Sequence, residues 1–161
     1  MQTTTTPLPL SGRDTSTFQE SIDQLASFYR GELSAVETYR QAMKVTQQAW
    51  VLTQLRSNLA SHEERARILR QRIIDLGGVP PDDSGPWGAF ATAVQGVASA
   101  INERAALSIL EEGERHGLAD YRADLGKVDR ESLRMLENRV IPQQSQTYDS
   151  LHRIVESLSA S

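Results

Sequence analysis

The sequence predicts an all-α protein, a four-helix bundle. Three observations carry this. Apolar residues recur at alternating steps of four and three, the spacing that keeps them on one helix face. Four such stretches are separated by turn chemistry near Gln47, from Gly77 to Gly85, and at Gly126. No stretch alternates with the two-residue period of a strand, and the β-branched residues do not cluster. Four long amphipathic stretches with tight first and third connections pack as a bundle.

The first helix follows Thr17-Phe18-Gln19-Glu20, a capping-box pattern, and runs to about Val45. Its seam reads Phe18, Ile22, Leu25, Tyr29, Glu32, Val36, Tyr39 and Met43. The second runs from about Gln48 to Leu76, through Leu52, Leu55, Leu59, His62, Ala66, Leu69 and Ile73, and stops at Gly77-Gly78. The third starts near Pro86, a good first-turn residue, and reaches about Leu125. Its stripe drifts from Phe90, Val94 and Val97 to Leu107, Glu111, Glu114, Leu118 and Tyr121. The fourth spans about Asp129 to Leu158, through Leu133, Leu136, Val140, Gln144, Thr147, Leu151 and Ile154. Pro142 falls inside it and predicts a kink or break.

Each seam carries a polar residue near its middle. A charge on a dry seam is costly unless something pairs with it. Glu32 and His62 lie about 15 residues either side of the turn near Gln47, so they share a height at ~1.5 Å rise per residue. Glu111 and Gln144 are related in the same way across the second turn. Glu32, His62, Glu111, Glu114 and Gln144 are therefore expected to form one internal layer. His116, Asp149 and His152 fall well off their seams and read as surface residues.

A carboxylate-rich layer at mid-bundle resembles the ferritin-like superfamily, whose di-iron pattern is Glu, Glu-x-x-His, Glu and Glu-x-x-His on successive helices. Gly31-Glu32-Leu33-Ser34-Ala35-Val36-Glu37-Thr38-Tyr39 looks like the first ferritin helix, and Ser61-His62-Glu63-Glu64-Arg65 like the second. From about Phe18 to Leu158 the chain is similar to small bacterial ferritin-like domains of unknown function. On the second helix, string similarity would pair Glu64 with Arg67, whereas the seam pairs His62 with Arg65. A ligand must face the core, which favours the seam. Either way an arginine stands where the family has a histidine, and arginine cannot ligate a metal. The fourth helix offers Gln144 and Thr147 in place of Glu-x-x-His.

Two functional readings follow from the resemblance. In the first, Arg65, with Arg104 as a second possibility, replaces the charge of a lost di-iron site. The protein is then non-catalytic, holds no cofactor, and acts through assembly or partner contacts, with stress physiology, where such domains often occur, as the expected setting. In the second, Glu32, His62, Glu111 and Glu114 hold Fe, Mn or Zn, and the protein handles iron or acts as an oxidase. Tyr39 and Tyr121 read as core aromatics with bonded hydroxyls, or as donors around such a site. A homo-oligomer is expected from the resemblance. Trp50 and Trp87 are packing residues or, if exposed, interface markers.

The chain has 161 residues, one domain's worth, here divided into a disordered tail over 1–14 and a bundle over 15–161. It has no cysteine, which removes disulfide and thiolate chemistry. The net charge is −4 and the pI about 5.4, with scattered basic residues, so nucleic-acid binding has little support. Neither a membrane span nor a signal peptide is visible, and a cytoplasmic location is expected. The ferritin resemblance also implies a crossover between the second and third helices. The breaker run alone reaches at most ~32 Å, against ~45 Å for a helix of about 30 residues. A crossover therefore needs residues 86–96 as well. The alternative is simple up-down-up-down.

Overall fold

The structure, a computed structural model, describes residues 12–88 and 103–160, with side chains from Thr17 onward except that of Trp87. Among the described residues there is no strand. Helix α1 spans Gly12–Val45, α2 Ala49–Asp75 and α3 Glu103–Ala123. The fourth helix is continuous but composite: α4 at Arg130–Met135, a π-helical turn at Leu136–Val140, and α5 at Ile141–Ser159. Short 3-10 turns occupy Gly85–Gly88 and Leu125–Lys127. The architecture is the all-α four-helix bundle expected. No helix among the described residues is long and apolar enough to cross a membrane.

Contacts fix the helix directions. Gly78, just beyond α2, packs on Ile22, so α2 descends antiparallel to α1. Along α1, Gln24 donates to Asp124, Phe28 meets Tyr121 at 4.6 Å between ring centres, and Tyr39 donates to Glu114. At its far end the Gln48 amide reaches Glu103. Helix α3 is therefore also antiparallel to α1, and parallel to α2. Two consecutive parallel helices need a connection that travels the length of the bundle, so the crossover alternative holds. Its first part runs along α1, where Ser84 donates to Glu37 at 3.2 Å. The rest lies outside the described residues, as do Phe90, Val94 and Val97. Pro86 sits in the 3-10 turn of Gly85–Gly88, and the described third helix starts at Glu103.

The boundaries are set by recognisable chemistry. The Gly78 amide bonds to the Ile73 carbonyl and the Gly77 amide to that of Ile74, a Schellman motif with Gly77 at φ 83°. Asp129 caps the fourth helix through the amides of Glu131 and Ser132. One expectation fails. Helix α1 begins at Gly12, ahead of the Thr17 box, and Ser21 donates back to the Thr17 carbonyl within the helix. At Pro142, where a kink or break is expected, the α-helical pattern gives way to a π turn at Leu136–Val140 and resumes at Ile141. Proline lacks an N–H, and its ring would press on the carbonyl four residues back. The preceding π turn relieves this, with the Ile141 amide bonded to the Leu136 carbonyl five residues away.

The apolar core comes in two parts. One gathers Leu25, Phe28, Leu69, Ile73, Leu136 and Val140, and the other Ala42, Val51, Leu55, Leu107, Leu110 and Leu151. A polar layer lies between them in the middle of the bundle.

Candidate functional site

The layer is built by one seam position from each helix. Glu32 on α1, His62 on α2, Glu114 on α3 and Gln144 on α5 are each at most 3% exposed, as the seam spacing requires. Arg65, one turn after His62, is fully buried beside them. The imidazole of His62 bridges the two carboxylates, with Nδ1 2.7 Å from Glu32 Oε2 and Nε2 2.8 Å from Glu114 Oε1. Arg65 spreads its guanidinium three ways: Nε donates to Glu32 Oε1 at 2.9 Å, Nη1 to Ser61 at 2.9 Å, and Nη2 to Gln144 Oε1 at 2.7 Å.

Two tyrosines close the layer. Tyr121 donates to Glu32 Oε1 at 2.6 Å, and Tyr39 donates to Glu114 Oε1. The Tyr39 oxygen in turn accepts from Asn58 at 3.2 Å. Gln144 and Thr147 donate to Glu114 Oε2 at 2.8 and 2.9 Å.

The electrostatics follow from this packing. Burial pushes the Glu32 carboxyl up, but Arg65 and His62 outweigh it and hold the group down at about 2. Burial raises Glu114 too, and His62 and Tyr39 pull it below the usual carboxylate range. Burial lowers His62 and the Arg65 charge lowers it further, yet Glu114 and Glu32 carry it above its ordinary value. Burial, with the neighbouring carboxylate, raises both tyrosines well above theirs, so they stay neutral donors. The resulting layer sets two carboxylates, Glu32 and Glu114, around the Arg65 guanidinium and the His62 imidazole. One contact runs against the balance: Arg65 Nη2 lies 2.7 Å from His62 Nδ1. The two carboxylates on opposite ring nitrogens keep that pair together.

The structure thus brings together Glu32, His62 and Glu114, with Gln144 and Thr147. It leaves out Glu111, a correction to the expected layer. Both Leu110 and Glu111 stand at permitted three- or four-residue steps from Leu107 and Glu114, and the apolar one takes the seam. Glu111 turns to the α3–α5 surface, where its carboxylate lies 2.5 Å from Nδ1 of the half-exposed His152. Arg104 is exposed near the bundle end and plays no part in the layer. On α2 the seam register holds, because Glu64 and Arg67 pair with each other on the surface. His116 and Asp149 are exposed, as read. Trp50 is half-exposed, its Nε1 donating to Gln48, and the Trp87 side chain lies outside the described residues. Asn58 was missed, although its place between Leu55 and His62 at steps of three and four marked it.

A metal would need these donors free and convergent. Both nitrogens of His62 face carboxylates, and a guanidinium occupies the space beside Glu32. Among the described residues no three His, Asp or Glu side chains are grouped to share one ion. The donor set does not fit a di-iron centre.

The family model described as "Domain of unknown function (DUF2383)" matches residues 20–127. A crystal structure of ferritin-like, diiron-carboxylate proteins from Bacillus anthracis str. Ames aligns with a TM-score of 0.68 at 19% identity, over 91% of this chain and 99% of that one. At that identity the likeness shows the fold, which is ferritin-like. No curated protein matches.

Proposed function

This chain belongs to the DUF2383 family, and we propose that it is a non-catalytic ferritin-like scaffold acting through assembly or partner contacts. In this reading the mid-bundle layer is an eroded di-iron site held together by its own charges. The observation that carries the reading is Arg65. A fully buried guanidinium bonds Glu32 directly and bridges to Gln144, tying α1, α2 and α5 at one level. Arginine stays cationic throughout the accessible pH range. It therefore supplies permanently the positive charge that a bound metal would supply conditionally. Assembly as the mode of action rests on the resemblance to ferritin-like domains, and the contacts would be made by the outer helix faces.

The test is metal analysis of protein purified from cells supplemented with iron and manganese, together with its mass in solution. The expected result is no stoichiometric metal, and an oligomer or a stable partner complex. Stoichiometric iron or manganese that disappears on Glu32→Ala would overturn the reading and return Glu32, His62 and Glu114 to the role of ligands.

A further inference from the structure

The polar layer is not sealed. A cleft of about 150 Å³ runs between α1 and α3 and reaches Glu32, His62, Glu114 and Gln144 from the solvent side. It exists because the facing helix surfaces are cut back: Ser27, Gly31, Ser34 and Ala35 line it from α1, and Gly113 and Gly117 from α3. A Cβ placed on Gly31 would meet nothing within 4 Å. Its volume is about that of an engineered apolar cavity that takes up benzene.

Three features select what would enter. The walls include Phe28, Leu110 and Tyr121, which favour an apolar or aromatic body. Carboxylates of Glu32, Glu114, Asp120 and Asp124 line the cleft together with His62 and His116, and among the described residues no lysine or arginine does. Arg65 stands behind the layer. At the mouth Lys127 reaches Asp124 at 2.6 Å and His116 reaches Asp120 at 3.4 Å, both from exposed positions where such pairing is screened. The third feature is an acceptor count. A carboxylate offers about four acceptor sites. Those of Glu114 are taken by His62, Tyr39, Gln144 and Thr147. Glu32 accepts from Arg65, His62 and Tyr121, so among the described residues the count leaves one of the four sites on this almost wholly buried carboxylate for a further donor.

We propose that the α1–α3 cleft binds a small organic cation, a primary ammonium on a short aromatic or alkyl body. The ammonium is drawn to the open acceptor of Glu32, and the body lies against Phe28 and Tyr121, whose ring faces also attract a cation. One open acceptor suits an ammonium, which completes its bonding with water; a hard metal ion asks for six or more oxygen ligands. The proposal stands apart from the scaffold reading, because metal analysis and oligomer mass decide that one and neither enters here.

The experiment titrates the full chain with benzylamine, benzyl alcohol and sodium benzoate at neutral pH, following the amide NMR signals of Gly31, Gly113 and Gly117. Benzylamine is expected to give saturable shifts, with benzyl alcohol at least about tenfold weaker and benzoate inert. Gly31→Leu, whose Cβ meets nothing within 4 Å and which improves helix propensity, is expected to fold, to fill the cleft and to abolish the shifts. Asp120→Asn is expected to weaken benzylamine several-fold. Equal binding of benzyl alcohol would reduce the cleft to an apolar hole and overturn the proposal. So would the absence of saturation, binding that survives Gly31→Leu, or displacement of benzylamine by MnCl₂ alone.

Discussion

Glu114 and Glu111 lie three residues apart on α3, and each is paired with a histidine. Glu114 is buried against His62, and every oxygen lone pair it offers is used. Glu111 keeps about a quarter of its side chain exposed, and His152 nearly half. The inner pair is almost wholly buried, so removing either partner leaves the other poorly compensated. The outer pair can exchange its partner for solvent at little cost. One residue type, on one helix and with one kind of partner, is structural in the first place and optional in the second. Burial decides which, and 60° of helix rotation decides burial.

The comparison breaks most severely if the counter-charge of the inner layer is removed. Arg65→Ala leaves Glu32 buried with half its cationic support gone, and is expected to cost about 3–5 kcal/mol. Chemical denaturation should show a lower midpoint, and the fold could be lost at physiological temperature. Arg65→Lys keeps the charge but cannot reach Glu32, Ser61 and Gln144 at once. Its midpoint should fall between those of the parent and the alanine variant. An Arg65→Ala protein as stable as the parent would mean that the inner layer is as dispensable as the outer pair.

Acid and base should sharpen the contrast next. Glu32 falls from an ordinary 4.5 to about 2 in the folded chain, so its stabilisation is complete above pH 4.5 and is lost as pH drops toward 2. Glu114 shifts in the same direction. His62 is raised above 6.5, so its contribution is complete below pH 6.5 and is lost as pH rises through the folded value. Stability should therefore form a plateau between about pH 4.5 and 6.5 and decline on both sides. His62→Gln should flatten the alkaline decline. A denaturation series across pH that keeps this decline in His62→Gln would assign it to some other group.

Removing one donor from the inner layer should have a smaller effect. Tyr121→Phe takes the hydroxyl from Glu32 Oε1 and leaves Arg65 and His62 in place. A hydrogen bond to a charged group is worth about 1.5–3 kcal/mol, and the open ring edge keeps its contact with Phe28. The loss should appear in the denaturation midpoint without a change in slope.

Much of this inner layer was legible in the sequence, and the reasons are physical. A charge at a seam position is visible because the periodicity around it is strong, and counting from the turns put Glu32 level with His62. Arg65 was legible as the residue three after His62, where the resemblance calls for a histidine. Glu111 was misread because two adjacent residues can both satisfy three-and-four spacing, and only the packing of α3 on α5 chooses between them. The capping box at Thr17 was a local pattern overruled by a helix that had already started at Gly12. Pro142 was read correctly as an obstacle, but a π turn is one of several ways round a proline and leaves no signature in the sequence. The crossover depended on which end of the bundle Glu103 occupies, and the sequence of α3 does not record that.

The outer pair supplies the smallest effect and the cleanest control. Glu111→Gln removes the carboxylate that raises His152 above its ordinary value. That histidine is half-exposed, its other nitrogen already faces Glu156, and Tyr148 stacks beside it, so the imidazole keeps its place. Stability should stay within error of the parent at every pH, while the His152 NMR titration moves to lower pH. The alkaline decline assigned to His62 should be unchanged in this variant. A loss of stability in Glu111→Gln comparable to that of Tyr121→Phe would place the outer pair in the same class as the inner one, and the distinction drawn from burial would fail.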